Sequence, residues 1–193
     1  MSYQYDVFFS YKRDSESDAW HERVRDKLVY WLRQSLNQAQ VTIFLDTEDI
    51  TTGNRWRMKL QSALKASKCA VCIWSPLYFK SKWCVSEWMT FEQRGQALGL
   101  DLVAPARYYD GEFYPEPAKD RQSPDFSDYA STMPRFWETE HAVEFEKKLL
   151  RPFALDLANI IRSAPNFDPN FPIVEASDDL VIRGTKIGRP GDD

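Results

Sequence analysis

Short apolar runs alternate with longer amphipathic segments through the first half of the chain. The apolar runs predict buried strands over residues 5–10, 41–45 and 69–74. Around them, apolar residues recur every three or four positions, which predicts helices beginning near Asp18, Asn54 and Ser81. A repeated strand–helix order implies a parallel sheet with right-handed crossovers and with helices on both faces. The chain is therefore predicted to be an α/β protein.

The pattern is less regular in the second half. Residues 102–106 suit a fourth strand, and Pro105 favours the edge of the sheet because proline cannot donate a ladder hydrogen bond. Residues 107–131 are rich in Pro, Asp and Tyr and fit no single element. Apolar spacing then predicts a long helix over residues 139–164, which Pro152 should kink or divide.

The third predicted helix carries the most distinctive pair of side chains. Ser81 can cap its N-terminus. The stripe that should face the core is formed by Cys84, Trp88 and Phe91. Trp83 and Glu87 are four residues apart and therefore neighbours on a face beside that stripe. Because ligands of open α/β sheets bind at the carboxyl ends of the strands, an indole and a carboxylate at this point indicate a binding site.

Composition limits the functions open to the chain. Its 193 residues are 43% apolar, enough for one domain of ordinary size. We expect that domain over residues 1–164, followed over residues 165–193 by a linker or tail that leads towards a further domain. The net charge of −4 and the pI of about 5.3 lack the basic footprint of nucleic-acid binding. No apolar run reaches the roughly 18 residues of a membrane span, and the N-terminus lacks a secretory signal, so we expect a cytoplasmic protein.

The cysteines and histidines do not indicate a metal site. Cys69 and Cys72 are three residues apart within a predicted strand and should point to opposite faces. A redox or zinc Cys-x-x-Cys motif instead requires a turn or a helix start. His21 and His141 are the only histidines. We therefore expect core cysteines and no bound metal.

Several motifs in order resemble the TIR (Toll/interleukin-1 receptor) domain family. Tyr5-Asp-Val-Phe-Phe-Ser-Tyr-Lys-Arg13 resembles the opening motif of that family, and the segment from Phe44 to Trp56 resembles its second motif and the loop that follows. Trp83-Cys-Val-Ser-Glu87 matches the Trp-x-x-x-Glu pattern of TIR domains that consume NAD, and Phe136-Trp137 resembles the short third motif. The resemblance covers about residues 5–164. It implies a flavodoxin-like, three-layer fold around a parallel sheet.

The resemblance also implies an NAD+ glycohydrolase, which cleaves the bond between nicotinamide and ribose. Glycoside hydrolases typically need two carboxylates, one of which protonates the leaving group. In NAD+ the leaving group is a cationic pyridinium that departs neutral, so one carboxylate is enough to stabilise the oxocarbenium-like ribose. Glu87 is the candidate for this catalytic role, and Trp83 would stack on a base or shield the site from water. NAD+ would be a substrate, with no resident cofactor.

Other positions would complete the site by resemblance. Ser10, Tyr11 and Lys12 would line the cleft at the end of the first strand, with Lys12 or Arg13 available for a phosphate. The remaining candidates for substrate binding are Ser75, Asp46 and Trp56. The loop between Asp46 and Trp56 would pack on another copy of the domain, so that assembly completes the site. A sensor domain or partner outside this segment would trigger an immune or antiphage response.

Simpler interpretations stay open for these residues. Trp83 and Trp56 can be core residues, Glu87 can be a solvated carboxylate paired with a basic side chain, and Asp46 can merely cap a loop. One alternative function is a TIR interaction module without catalysis. Another is a phosphoacceptor receiver domain, which shares this strand order but needs an acidic pair after the first strand, where Ser10-Tyr-Lys-Arg stands.

Overall fold

A sheet of parallel strands organises the described part of the chain. The computed structural model describes residues 2–45, 54–177 and 180–181, apart from the side chains of residues 54–56. The strands are β1 (Tyr5–Tyr11), β2 (Ile43–Leu45), β3 (Ser67–Trp74) and β4 (Val103–Arg107). Their spatial order is β2-β1-β3-β4, and each neighbouring pair is parallel. The predicted α/β class and parallel sheet are confirmed.

Helices cover both faces of this sheet and give the three layers that the resemblance implied. They are α1 (Asp18–Leu36), α2 (Asn54–Ala66), α3 (Lys82–Leu98), α4 (Glu116–Lys119), α5 (Glu140–Phe145) and α6 (Arg151–Ser163). Buried side chains of α1, α5 and α6 pack in one cluster, and those of α2 and α3 pack in a second cluster on the opposite face. The helix starts predicted at Asp18, at Asn54 and just after Ser81 are confirmed.

Alternation along β1 decides which side chain meets which layer. Val7, Phe9 and Tyr11 join the cluster of α1, whereas Phe8 joins the cluster of α3. Successive side chains of a strand point to opposite faces, so Ser10 lies on the α3 side with Phe8. Since β1 pairs with β2 on one side and with β3 on the other, the carboxyl ends of β1 and β3 form the switch point at which ligands of such sheets bind.

The second half of the chain follows the predictions in part. β4 is an edge strand and contains Pro105, as expected. The unassigned segment contains the short helix α4 and a 3₁₀ turn over Ser127–Tyr129. The long predicted helix is divided, since a π-helical turn over Glu146–Leu150 separates α5 from α6 immediately before Pro152. Pro152 lacks the N–H that a continuous helix would need there.

Residues of the predicted tail pack on α3. The backbone N–H of Val174 donates to Thr90 Oγ1 at 3.1 Å, and that of Ala176 donates to Ser86 Oγ at 2.9 Å. The Arg94 guanidinium lies 4.3 Å from the ring centroid of Phe171. The described part of the tail therefore supports the helix that carries Glu87, while its status as a separate linker stays a prediction.

None of the helices in the described ranges combines the length and the apolar character that a membrane span requires.

Candidate functional site

The first turns of α3 hold the predicted pair of side chains. Ser81 Oγ accepts a hydrogen bond from the backbone N–H of Cys84 at 3.4 Å, so the predicted N-cap is confirmed. The predicted core stripe is buried: Cys84, Trp88 and Phe91. Trp83 is 39% exposed, whereas only 9% of Glu87 is exposed. The carboxylate therefore lies at the edge of the core, whereas the indole four residues before it is accessible.

A chain of hydroxyl groups holds the Glu87 carboxylate. Ser10 Oγ donates to Glu87 Oε2 at 2.6 Å, and Tyr78 Oη lies 2.8 Å from Ser10 Oγ. Tyr78 Oη also lies 2.8 Å from the carbonyl oxygen of Cys84, to which it can donate. Since the single proton of Ser10 goes to the carboxylate, the proton of Tyr78 serves either the serine oxygen or the carbonyl. Burial raises the pKa of the Tyr78 hydroxyl well above its usual value, so it stays protonated.

Tyr11 does not join this arrangement, although it was predicted to line the same cleft. Its ring lies on the α1 side and stacks on the imidazole of His21, with ring centroids 4.4 Å apart. Its backbone contacts α3, where the Tyr11 carbonyl oxygen accepts from Cys84 Sγ at 3.6 Å. The strand alternation that brings Ser10 to Glu87 necessarily turns Tyr11 away.

Trp83 has a cation on its ring. The Arg57 guanidinium carbon of α2 lies 5.2 Å from the Trp83 ring centroid, within the range of a cation–π interaction. The first turns of α2 and α3 are thereby brought together at the same end of the sheet. The Trp83 indole, one helical turn before Glu87 on α3, therefore carries a positive charge from α2 on its ring.

Lys12 and Ser75 line a neighbouring cavity of about 310 Å³ with His21 and Tyr108. Ser75 also has a local role, because its Oγ accepts from the backbone N–H of Tyr78 at 3.1 Å and orders the turn after β3. The structure therefore brings Ser10 directly to Glu87, and it places Lys12 and Ser75 on an adjoining wall.

Two predicted site residues lie outside this description. Asp46 falls within residues 46–53, outside the described residues, and the side chain of Trp56 lies outside them as well. Their proposed contacts with substrate or with a second copy stay predictions.

The cysteines behave as core residues, as predicted. Cys69 packs in the α1 cluster and Cys72 in the α3 cluster, on opposite faces of β3. Burial raises the pKa of the Cys72 thiol to about 12 and the pKa of the Cys69 and Cys84 thiols still further, so none of the three is a thiolate nucleophile near neutral pH. Among the described residues, no cluster of His, Cys, Asp and Glu is arranged to hold a metal ion.

The acidic residue of β1 does not supply the acidic pair that a receiver domain needs after its first strand. Asp6 lies at the amino end of the strand, where its Oδ1 accepts from Lys68 Nζ at 2.7 Å and its Oδ2 accepts from the backbone N–H of Thr42 at 2.9 Å. These contacts hold β1 to its neighbours at the amino-terminal ends of the strands, whereas Glu87 lies at the carboxyl ends. Asp6 therefore gives no support to the receiver interpretation, and Asp46 lies outside the described residues.

Sequence reasoning missed the residues that act through distant contacts. Tyr78 precedes the cap of α3 by three positions, and its pattern resembles that of any core aromatic. His21 and Tyr108 were likewise not singled out. In the sequence, Tyr78 is marked as a possible site residue only by its position between the candidates Ser75 and Trp83, close to Glu87.

Comparisons with known proteins bear on the family and the fold of the chain. A family model described as "TIR domain" matches residues 7–138. A TIR domain-containing protein of Arabidopsis thaliana is 33% identical over 87 residues, which are 45% of this chain and 33% of that protein. The chain thus matches only a third of the length of that relative.

Two solved structures are also similar. The TIR domain of the Toll-related receptor TRR-2 from Hydra magnipapillata has 21% identity and a TM-score of 0.45, covering 75% of this chain and all of that one. The TIR domains of the activated Roq1 resistosome, which recognises the pathogen effector XopQ, have 22% identity and a TM-score of 0.43, covering 81% and 85% of the two chains. At these scores the fold assignment rests on the sheet topology and the family match.

Proposed function

This chain belongs to the TIR domain family, and from that premise we propose that it is an NAD+ glycohydrolase with Glu87 as its catalytic carboxylate. The observation that carries the proposal is the 2.6 Å hydrogen bond from Ser10 Oγ to Glu87 Oε2 at the carboxyl end of β1. It fixes a buried carboxylate where this class of sheet binds its ligands. The resemblance of Trp83-Cys-Val-Ser-Glu87 to the NAD-consuming TIR domains supports the same assignment.

The chemistry requires one negative charge and no acid. The bond between ribose C1′ and the nicotinamide nitrogen breaks, and its electron pair leaves with the nicotinamide, which becomes neutral. Positive charge develops on the ribose, where the Glu87 carboxylate would stabilise it in surroundings of low dielectric. Water then adds to C1′ and releases a proton, so that nicotinamide and ADP-ribose are formed. Attack by the adenine ring of the same molecule, in place of water, would give a cyclic product.

The neighbouring side chains can hold the rest of the substrate. Trp83 offers an exposed aromatic face, and Arg57 and Lys12 offer positive charges for the pyrophosphate. Arg57 would exchange its place on the indole for a phosphate, which leaves that face to a base.

Assembly belongs to this proposal. The loop between Asp46 and Trp56 would pack on a second copy and complete the site, so that the enzyme is active only when clustered by a partner or sensor outside this segment. Such a switch suits an effector of immune or antiphage defence.

The test is release of nicotinamide from NAD+ by the purified chain, at high protein concentration, with and without a crowding agent. We expect nicotinamide and ADP-ribose in equal amounts, with a rate per molecule that rises with protein concentration. Absence of release when light scattering shows that the chain is clustered would contradict the enzyme proposal and favour a TIR interaction module.

The hydroxyl chain predicts a graded loss of activity. Ser10→Ala removes the donor to Glu87, so we expect kcat to fall about tenfold or more with little change in KM. Tyr78→Phe leaves that donor in place and should lower kcat less. Steady-state kinetics of NAD+ cleavage measure both effects.

Tyr114→Phe is the matched control. The Tyr114 hydroxyl is buried in the same cluster and lies 2.7 Å from the carbonyl oxygens of both Trp74 and Tyr109, which share its single proton. Its loss should lower the free energy of unfolding by about 1 kcal/mol, as Tyr78→Phe should, without changing kcat. Equal kcat values for Ser10→Ala and Tyr114→Phe would show that Ser10 does not position Glu87.

A further inference from the structure

The cavity beside the Glu87 site is large enough for part of a nucleotide. It measures about 310 Å³ and is lined by residues that follow β1, β3 and β4, including Lys12, Ser75 and Tyr109. Small-molecule sites in proteins begin at about 300 Å³. Ser10, which contacts Glu87, and Lys12, which lines the cavity, are two residues apart, or about 7 Å along an extended chain. One dinucleotide can therefore reach both places.

Flat rings form one wall of this cavity. His21 stacks on Tyr11 with ring centroids 4.4 Å apart and an interplanar angle of 25°. The ring centroid of Tyr108 also lies 4.9 Å from that of His21, with an interplanar angle of 38°. Tyr109, with 58% of its surface exposed, adds a further ring that a ligand can reach. Stacked walls of this kind favour a planar heteroaromatic ligand.

His21 decides which atoms of that ligand it can meet. Its Nδ1 lies 2.8 Å from the carbonyl oxygen of Ser17, so Nδ1 carries the ring proton. Burial lowers the pKa of His21 to about 4, so the ring is neutral at pH 7. Nε2 is then a lone-pair acceptor, and it has no hydrogen-bond partner in the part of the chain that the structure describes. His21 lines the cavity, so a hydrogen-bond donor on a ligand that enters the cavity can approach this ring.

The charged residues around the cavity also favour a ligand that carries hydrogen-bond donors. Two acidic residues, Asp14 and Glu16, are among the lining residues, together with Lys12 as the cation. Carboxylates accept hydrogen bonds from ribose hydroxyls and from exocyclic amino groups, and they repel phosphate. The nucleoside end of a nucleotide therefore suits the interior, with its phosphate directed to Lys12.

We propose that this cavity binds an adenine nucleoside, in which the exocyclic amino group donates to His21 Nε2 and the base stacks against Tyr109. The assignment of that nucleoside as the second half of the NAD+ bound at Glu87 rests on the proposed function. A free adenine nucleotide presents the same chemistry and is the other possible source.

Binding of AMP and IMP to the whole chain tests the site by calorimetry. IMP has a keto oxygen in place of the amino group, so it should bind at least about tenfold more weakly than AMP. Tyr109→Ala should weaken AMP binding about tenfold through loss of stacking. Phe113→Ala is the matched control, because Phe113 is equally exposed at 58% and does not line the cavity. Absence of AMP binding, or equal loss in the two variants, would overturn the proposal.

Kinetics distinguish the two sources. If the cavity holds the adenosine half of NAD+, Tyr109→Ala raises KM for NAD+ and leaves cleavage of nicotinamide mononucleotide unchanged. Tyr109-dependent AMP binding with an unchanged KM for NAD+ would overturn the dinucleotide assignment and identify a free nucleotide as the ligand. If AMP binds in this way and NAD+ is not cleaved, the cavity assignment stands and the proposed function fails.

Discussion

Replacing Glu87 with glutamine is expected to lower kcat for NAD+ cleavage by about a hundredfold to a thousandfold. The loss of one group that stabilises charge in a transition state typically has this effect. Glutamine has nearly the shape of glutamate, and its side-chain oxygen can still accept from Ser10 Oγ, which lies 2.6 Å from Glu87 Oε2. The substitution therefore removes the charge while the hydrogen bond can persist. Nicotinamide release at saturating NAD+ measures the effect.

Glu22→Gln is the control for this substitution. Glu22 is exposed on α1, on the face of the sheet opposite α3, so its neutralisation should leave kcat unchanged. The thermal unfolding midpoint of each variant checks that the fold persists. If Glu87→Gln retains the activity of the wild type, the carboxylate has no part in catalysis, and its contact with Ser10 serves the structure alone.

Acidification is expected to destabilise the domain through His21. The side chain of His21 packs against the rings of Tyr11, Trp20 and Tyr108 and is only 3% exposed. This burial lowers its pKa from 6.5 to about 4. Between these two pH values the unfolded chain binds a proton that the folded chain does not. The contribution to stability is therefore complete above pH 6.5 and is lost as the pH falls to about 4. Over that window the free energy of unfolding should fall by about 3 kcal/mol.

Urea unfolding at a series of pH values measures this loss. His21→Phe keeps an aromatic ring between Tyr11 and Tyr108 and removes the proton site, so its stability should change less between pH 6.5 and pH 4. His141→Gln is the control, because His141 lies on an exposed surface of α5. This substitution should leave the pH dependence of the free energy of unfolding as it is in the wild type. If the free energy of unfolding of His21→Phe falls with pH as steeply as that of the wild type, other groups cause the acid sensitivity.

The sequence was most informative where short-range pattern decides structure. The cap at Ser81, the core stripe of α3 and the opposite faces of Cys69 and Cys72 all depend on residues a few positions apart. Their geometry follows from the periods of a helix and a strand. Pro105 and Pro152 also gave correct indications, since the absence of an N–H has a local consequence.

Tyr11, which the family resemblance grouped with Ser10 and Lys12, has its side chain on the other face of the sheet from Ser10, and its part in substrate binding stays a prediction. Adjacent residues of a strand point to opposite faces, so a run of motif residues cannot line one cleft with all its side chains. The two-residue period of a β-strand predicts this separation of Ser10 from Tyr11, whereas the resemblance alone does not. The outcome is two neighbouring features, the carboxylate held by Ser10 and the cavity lined by Lys12.

The sequence by itself determined the fold class, the order of the elements, the family and the candidate carboxylate. These depend on local periodicity and on motifs whose members are close in the chain. Only the tertiary structure decided that Ser10 and Tyr78, 68 positions apart, form the hydroxyl chain to Glu87, that His21 and Tyr108 line a cavity, and that tail residues support α3. Such contacts form when the packing of whole layers brings distant residues together, and no period in the sequence records which distant side chains will meet.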